Sequence, residues 1–455
     1  MIGFYEVLDR AMSGRYCPEA DFEMEVLAPR VRELISKYKI KYDPETPVPW
    51  DDDLADRVFQ AGFELYRDVG TYCPSTERIM SFSEEELQEG LAHAPSTSVY
   101  GEGKDARTLI PRRPESDIPP FCFVGAVGAA VSNEELYASI METYASFIPL
   151  ADSITASSLA SINGRTVRTG SPLEVLASIR AMVLGHEALR RGGRPGLPIM
   201  NCIATAASDV AKIAGSQFGV RLFDAWVIAH SAELKLEFQR LNEVANAISL
   251  GGHIVATFAP MLDGYRAGPE GVAITNAAYL FSSILILRGS CVITFPMHFR
   301  YGSTTSREII WAKSVSCQAM SRNSHFALSV DHYTAAGPMT DMFFYENAAD
   351  ILSTMASGSH NISPGIAKAT HIDHFTPMEP RFSSEVAHAT TGITRKDANE
   401  IVKKLLAKYE ANLDNPPLGK KYDQCWDIHR KTPSVDYVTF YKNIKKEISD
   451  LGIPF

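Results

Sequence analysis

Asp331, His332 and Tyr333 follow directly on the apolar run FALSV at 326–330. A carboxyl, an imidazole and a phenol at the end of a buried strand are residue types that hold and move protons. As structure alone they would be a strand-end aspartate capping a loop beside an exposed histidine. His230 closes the run VIA at 227–229 in the same way, although Ser231 beside it would also serve as a helix cap. Cys202, inside IMNCI at 199–203, has the form of a small core residue as much as that of a nucleophile. The glycine clusters GAVG at 125–128, GGRPG at 192–196 and GG at 251–252 do not form the GxGxxG of a dinucleotide site, and they read as tight turns. The sequence contains neither a P-loop nor an HExxH helix.

Strand-end residues meet only if the strands run parallel into one face. From residue 121 onward, short β-rich runs alternate with longer amphipathic segments, the pattern of repeated β/α units. The runs predict strands over 121–127, 153–160, 197–204, 225–230, 254–260, 291–295, 326–333 and, as the weakest of the eight, 370–375. Helices are predicted between them over 133–147, 172–190, 208–218, 233–250, 272–287, 306–320 and 342–355. Right-handed crossovers wind such a series into a closed barrel or an open doubly wound sheet, and periodicity does not separate the two. Residues 1–115 read as a helical extension, 116–390 as the β/α body, and 391–455 as carboxy-terminal helices over 395–412 and 434–451 that cap it.

Composition narrows the class. Of 455 residues, 45% are hydrophobic and 22% charged, enough apolar material for a large core. A net charge of −10, with one short basic cluster of Lys104, Arg107, Arg112 and Arg113, argues against a nucleic-acid surface. The longest apolar-rich stretch, 277–295, is broken by Ser282, Ser283, Arg288 and Ser290, which argues against a membrane span. Seven cysteines far apart, with no CxxC, predict no disulfide framework and fit a cytoplasmic protein. Glu6 and Asp9 interrupt what a signal peptide would need to keep apolar.

A set of short segments in order along the chain carries a family resemblance. They are AGFE at 61–64, SPLEVLA at 171–177, GRPG at 193–196, ELK at 233–235, GSTTSRE at 302–308, AGPMT at 336–340, ASG at 356–358, MEPR at 378–381, EVA at 385–387, ATTG at 389–392 and the terminal DLGIPF at 450–455. With these segments the chain resembles the monomethylamine:corrinoid methyltransferases. The resemblance implies a (β/α)₈ TIM barrel, often a homo-oligomer, that docks a separate corrinoid protein over its mouth. There cob(I)alamin takes a methyl group from a substrate held in the barrel. No DxHxxG segment of the kind that ligates cobalt is present, so the corrinoid is expected on the partner protein.

Departures from the family bear on the substrate. Counted from GRPG, the family's pyrrolysine position falls on Met200, two glutamates of its amine site fall on Val227 and Thr257, and a glutamine falls on Asp331. Methionine has no electrophilic carbon with which to activate an amine. A better leaving group is expected, and a phenolate fits because phenols titrate near ~10. An alkoxide, closer to water at ~15.7, would require a Lewis-acid metal. The expected reaction is therefore O-demethylation of a methoxylated aromatic compound, with Asp331 and His332 together protonating the departing phenolate. Met200, Cys202, His230, Thr257 and Tyr333 are expected around the substrate, and Phe258, Phe295, Tyr301 and Tyr333 are candidates to sandwich its ring. Some related phenyl-ether demethylases are zinc proteins. His230, Cys202, Asp331 and His332 are mixed donors, but no ligand spacing supports zinc. Two alternatives stay open: a methyltransferase for a quaternary or other methylated amine, and a non-catalytic paralogue that binds the corrinoid protein.

Overall fold

The structure is a computed structural model that describes residues 2–125, 129–200, 204–264, 268–362, 364–366 and 371–455. Eight parallel strands close into a barrel: β1 (Cys122–Val124), β2 (Ser153–Thr155), β3 (Ile199–Met200), β4 (Ala225–Ala229), β5 (His253–Phe258), β6 (Cys291–Thr294), β7 (Leu328–Val330) and β8 (His360–Ile362). Each pairs with its neighbours in chain order, and β8 closes on β1 through Asn361 opposite Cys122. A helix follows each strand: α1 (Glu134–Phe147), α2 (Pro172–Arg191), α3 (Asp209–Gly219), α4 (Phe238–Leu250), α5 (Gly268–Leu285), α6 (Arg307–Asn323), α7 (Asp341–Ala356) and α8 (Met378–Ala389). Side-chain caps mark several of the turns into helix. Asn133, Ser171, Ser208, Ser306 and Thr340 each accept a backbone N–H from the first helical turn.

Strand periodicity decides what each side chain faces. Ala225, Val227, Val255, Cys291 and Ile293 point into the barrel, where they pack with Phe121, Phe123, Met200, Ala327 and Ile362. Their neighbours Trp226, Ile228, Ile254, Ala256, Phe258 and Val292 face the helices and join the larger outer core. An antiparallel hairpin of Ser98–Tyr100 with Arg107–Leu109 closes the amino-terminal end: the Tyr100 ring lies 5.8 Å from Phe121 and 4.6 Å from His253. The opposite, carboxyl-terminal end is left for the site. The amino-terminal helix Asp52–Val69 packs on α5 and α6, and the carboxy-terminal helix Arg395–Tyr409 on α7. Among the described residues, no helix is long and apolar enough to cross a membrane.

Three elements differ from expectation. The eighth strand is His360–Ile362, whereas 371–375 forms a turn with Asp373 at φ 65°, and residue 370 lies outside the described residues. A strand written His-Asn-Ile has no apolar run to betray it. It is buried because its polar groups are satisfied: His360 Nδ1 accepts from Phe121 N at 3.0 Å, and Nε2 lies 2.7 Å from the Ile110 carbonyl. Helix α4 starts at Phe238 rather than 233, because Glu233 and Leu234 sit at φ 69° and 55°. Leu234 and Leu236 there exchange backbone hydrogen bonds with Tyr72 of the extension, at 2.9 and 2.8 Å. Helix α8, over the family-like MEPR and EVA segments, is a barrel helix the periodicity left unassigned.

Candidate active site

At the carboxyl ends of the strands lies a cavity of about 240 Å³. Its wall is mainly apolar: Phe123, Met200, Ala204, Ala206, Val227, Ala229, Ile293, Phe295 and Ile362. Four polar side chains break it: Thr155 at the end of β2, Thr257 in β5, Asp331 just beyond β7, and Lys212 in the first turn of α3. Thr155 is brought close by Gly125, whose φ of 134° and lack of a Cβ let the end of β1 press against the Thr155 carbonyl, 2.5 Å from where a Cβ would stand.

Asp331 is fully buried. Its carboxylate accepts the backbone N–H of His332 at 2.9 Å, yet burial dominates and pushes it up to about 7. A carboxyl in that range is both a hydrogen-bond donor and a proton donor at neutral pH. Burial, and then the Asp331 charge and a hydrogen bond to it, hold the Tyr333 phenol well above its ordinary range. Tyr333 packs 5.3 Å from Phe295, centroid to centroid. Thr257 Oγ1 is buried on the cavity wall without a hydrogen-bond partner among the described residues. Such a group has a hydrogen bond to offer a ligand atom or a water. Lys212 Nζ lies 3.2 Å from both carboxylate oxygens of Glu243 on α4; burial lowers the ammonium from its ordinary value and Glu243 opposes that shift.

The strand period separates residues that the sequence places side by side. Asp331 faces the cavity, but His332 turns outward between the barrel and its helices, with Nδ1 3.2 Å from Asp350 Oδ2. The expected pairing of Asp331 and His332 as one proton relay is therefore corrected: their side chains do not meet on the cavity, and the nearest phenol to Asp331 is Tyr333. His230 also lies off the cavity wall. Its Nε2 is 2.8 Å from Ser282 Oγ and its Nδ1 3.3 Å from the Thr257 carbonyl, and burial lowers its pKa to about 4, which leaves it neutral. Phe258 stacks outward on Tyr279 at 4.8 Å, and Tyr301 packs on His298 at 4.2 Å, so of the four candidate ring contacts Phe295 lines the cavity itself. Met200 and Thr257 stand on the wall, and Cys202 lies outside the described residues.

Sequence reasoning missed Lys212 and Thr155. Thr155 carried a signal, a polar residue closing a predicted strand region; Lys212 carried none beyond its place in a predicted helix. Among the described residues, no group of three His, Cys, Asp or Glu side chains could hold a metal ion. His230, Asp331 and His332 point to three different neighbourhoods.

The family model described as "Monomethylamine methyltransferase MtmB" matches residues 2–453. Monomethylamine methyltransferase MtmB3 of Methanosarcina barkeri (strain Fusaro) is 29% identical over 453 residues, 99% of this chain and 98% of that protein. MtmB1 of Methanosarcina acetivorans is 30% identical over 454 residues, with the same shares covered. The crystal structure of the Methanosarcina barkeri monomethylamine methyltransferase is similar at a TM-score of 0.94 and 28% identity, over 99% of this chain and 98% of that one. The crystal structure of the hydroxylamine MtmB complex is similar to the same degree. With its closed eight-stranded barrel and a match from end to end, this chain is a methyltransferase and belongs to the monomethylamine methyltransferase MtmB family.

Proposed function

We propose that the enzyme takes the methyl group of a small methoxylated aromatic compound and passes it to the cob(I)alamin of a partner corrinoid protein. The observation that carries this reading is Asp331, a carboxyl held near neutrality by burial on the wall of a mainly apolar cavity. In the transfer the bond between methyl carbon and ether oxygen breaks, and the oxygen keeps the electron pair. The carbon bonds to the acceptor, and the phenolate takes the Asp331 proton. A phenolate's affinity for a proton, near ~10, exceeds that of a carboxylate at about 7, so the transfer runs downhill. Phe295 and Phe123 offer apolar faces to the ring, and Thr257 Oγ1 offers an unused hydrogen bond.

A methylated amine is the second reading, favoured by the activity for which the relatives are named and by Asp331, which as a carboxylate would pair with an ammonium. Two features weigh against it. Alkylamines are cations at neutral pH, as the lysine value of ~10.4 illustrates, and Lys212 sets a second cation in the same cavity. Met200 also stands where the family resemblance places pyrrolysine. The deciding experiment supplies methoxybenzene and methylamine separately to the protein with reduced corrinoid acceptor. Transfer from methoxybenzene alone is expected; transfer from methylamine alone overturns the reading.

Because about 240 Å³ leaves room for a small substrate and none for a corrin macrocycle, the isolated chain is expected to carry no cobalt. Metal analysis and the visible absorption spectrum of the purified protein check this. Stoichiometric cobalt in the isolated chain would contradict it.

A further inference from the structure

We infer that Lys212 anchors an anion, so that the substrates are methoxylated aromatic acids whose carboxylate lies across the ring from the methoxy group. The inference deepens the aryl-ether reading and rests on it. Lys212 follows β3 and Asp331 follows β7, and the closed strand order puts four steps between those strands in either direction. The two side chains therefore enter the cavity from opposite walls. A ring held between them with its ether oxygen at Asp331 turns its far edge toward Lys212.

Glu243 does not saturate the ammonium. Its oxygens lie 3.2 Å from Nζ, where charge-assisted bonds of this kind settle near ~2.8 Å. The same carboxylate accepts from Arg240 Nη1 at 2.5 Å, so the oxygens of Glu243 are shared between two donors. Glu237 Oε1 lies 3.2 Å from Arg240 Nε without hydrogen-bond alignment while its Oε2 takes the Ser231 hydroxyl, so it acts on Arg240 and Lys212 by charge and not as a hydrogen-bond acceptor. An ammonium has three N–H groups, and among the described residues Lys212 has no acceptor besides Glu243. A neutral ring would offer that donor no partner, whereas a carboxylate reaching it would.

A purely structural Lys212, closing α3 on α4, makes a different forecast, because its loss would affect stability and all substrates alike. The test compares kcat and KM for methyl transfer from methoxybenzene and from ortho-, meta- and para-methoxybenzoate. Wild type, Lys212→Met and Lys212→Arg are used with the reduced corrinoid partner. In wild type the para or meta acid is expected to exceed methoxybenzene and the ortho acid roughly 10- to 100-fold in kcat/KM, the worth of a hydrogen bond to a charged group. The difference is expected to sit in KM. That ratio should collapse toward one in Lys212→Met and return in Lys212→Arg. A wild type without the preference, or a Lys212→Met protein that keeps it, overturns the inference. If methoxybenzene is the one ether that reacts, the anchor fails and the ether reading stands; if no ether reacts while methylamine does, both fall. The wild-type comparison decides even where Lys212→Met does not fold.

Discussion

Asp331→Asn is expected to slow methyl transfer from methoxybenzenes by roughly 10²- to 10⁴-fold, the range for loss of a positioned general acid. KM should change less, because asparagine keeps the shape and a hydrogen-bond donor while losing the transferable proton. The pH dependence follows from the raised pKa. Asp331 stays protonated up to about 7, so wild-type turnover should be highest below that value and fall as pH rises through it. The Asn variant should lack that limb. The defect must also track the leaving group: electron-rich rings, whose phenols are least acidic, should lose most. His332→Ala is a built-in contrast, since His332 faces Asp350 and not the cavity. Its effect should appear in stability and be indifferent to phenol acidity. Single-turnover rates across a substituent series, at several pH values, separate these cases. An Asp331→Asn defect with no dependence on phenol acidity would remove the acid from the mechanism.

The strands were legible because they are sheathed on both sides, while their closure into a barrel came from the family resemblance. Ala225–Ala229 reads as an unbroken apolar run, since Val227 meets the cavity while Trp226 and Ile228 meet the helices. That continuity locates a strand and hides its facing. It also explains the failure at β8, where His360 and Asn361 are buried through hydrogen bonds that no apolar pattern encodes. The start of α4 was misread because residues 233–237 have helix-compatible composition, yet they are drawn into pairing with Tyr72, some 160 positions earlier. Such a contact is invisible to any local window.

The site was legible in part for the same reason. Polar residues at strand ends, Asp331 above all, announce themselves against apolar neighbours. Adjacency then misled, because a period of two sends Asp331 and His332 to opposite faces and gives Asp331 a phenol from Tyr333 instead of an imidazole. Lys212 stayed hidden because lysine in a helix is ordinarily solvated. Only the placement of α3 against the mouth, with Glu243 of the next helix as its neighbour, turns it inward.

Lys313→Met is expected to destabilise the fold by about 3–5 kcal/mol, the cost of stranding one member of a buried ion pair. Lys313 on α6 and Asp350 on α7 have fully buried side chains in direct contact. Asp350 also accepts from Thr304 Oγ1 at 2.6 Å and lies beside His332. Burial alone would raise the Asp350 carboxyl, but the Lys313 ammonium, with the His332 ring beside it, outweighs burial and holds the group below its ordinary value. Without Lys313 that balance reverses, and the protein must bury an unpaired charge or take up a proton. The cluster reaches the active site through the backbone: Thr304 N donates to the Tyr333 carbonyl at 2.8 Å, and Tyr333 N donates to Thr304 Oγ1 at 2.9 Å, tying down the turn that carries Asp331. A pair exposed to solvent would be worth no more than about 1 kcal/mol, so the size of the loss is diagnostic. In the double variant Lys313→Met with Asp350→Asn, where neither charge remains to be stranded, most of the stability should return. Reversible urea unfolding of wild type and the variants measures it. A single-variant loss below about 1 kcal/mol, or a double variant as unstable as Lys313→Met alone, would mean that packing around α6 and α7, and not the ion pair, sets the stability of this face of the barrel.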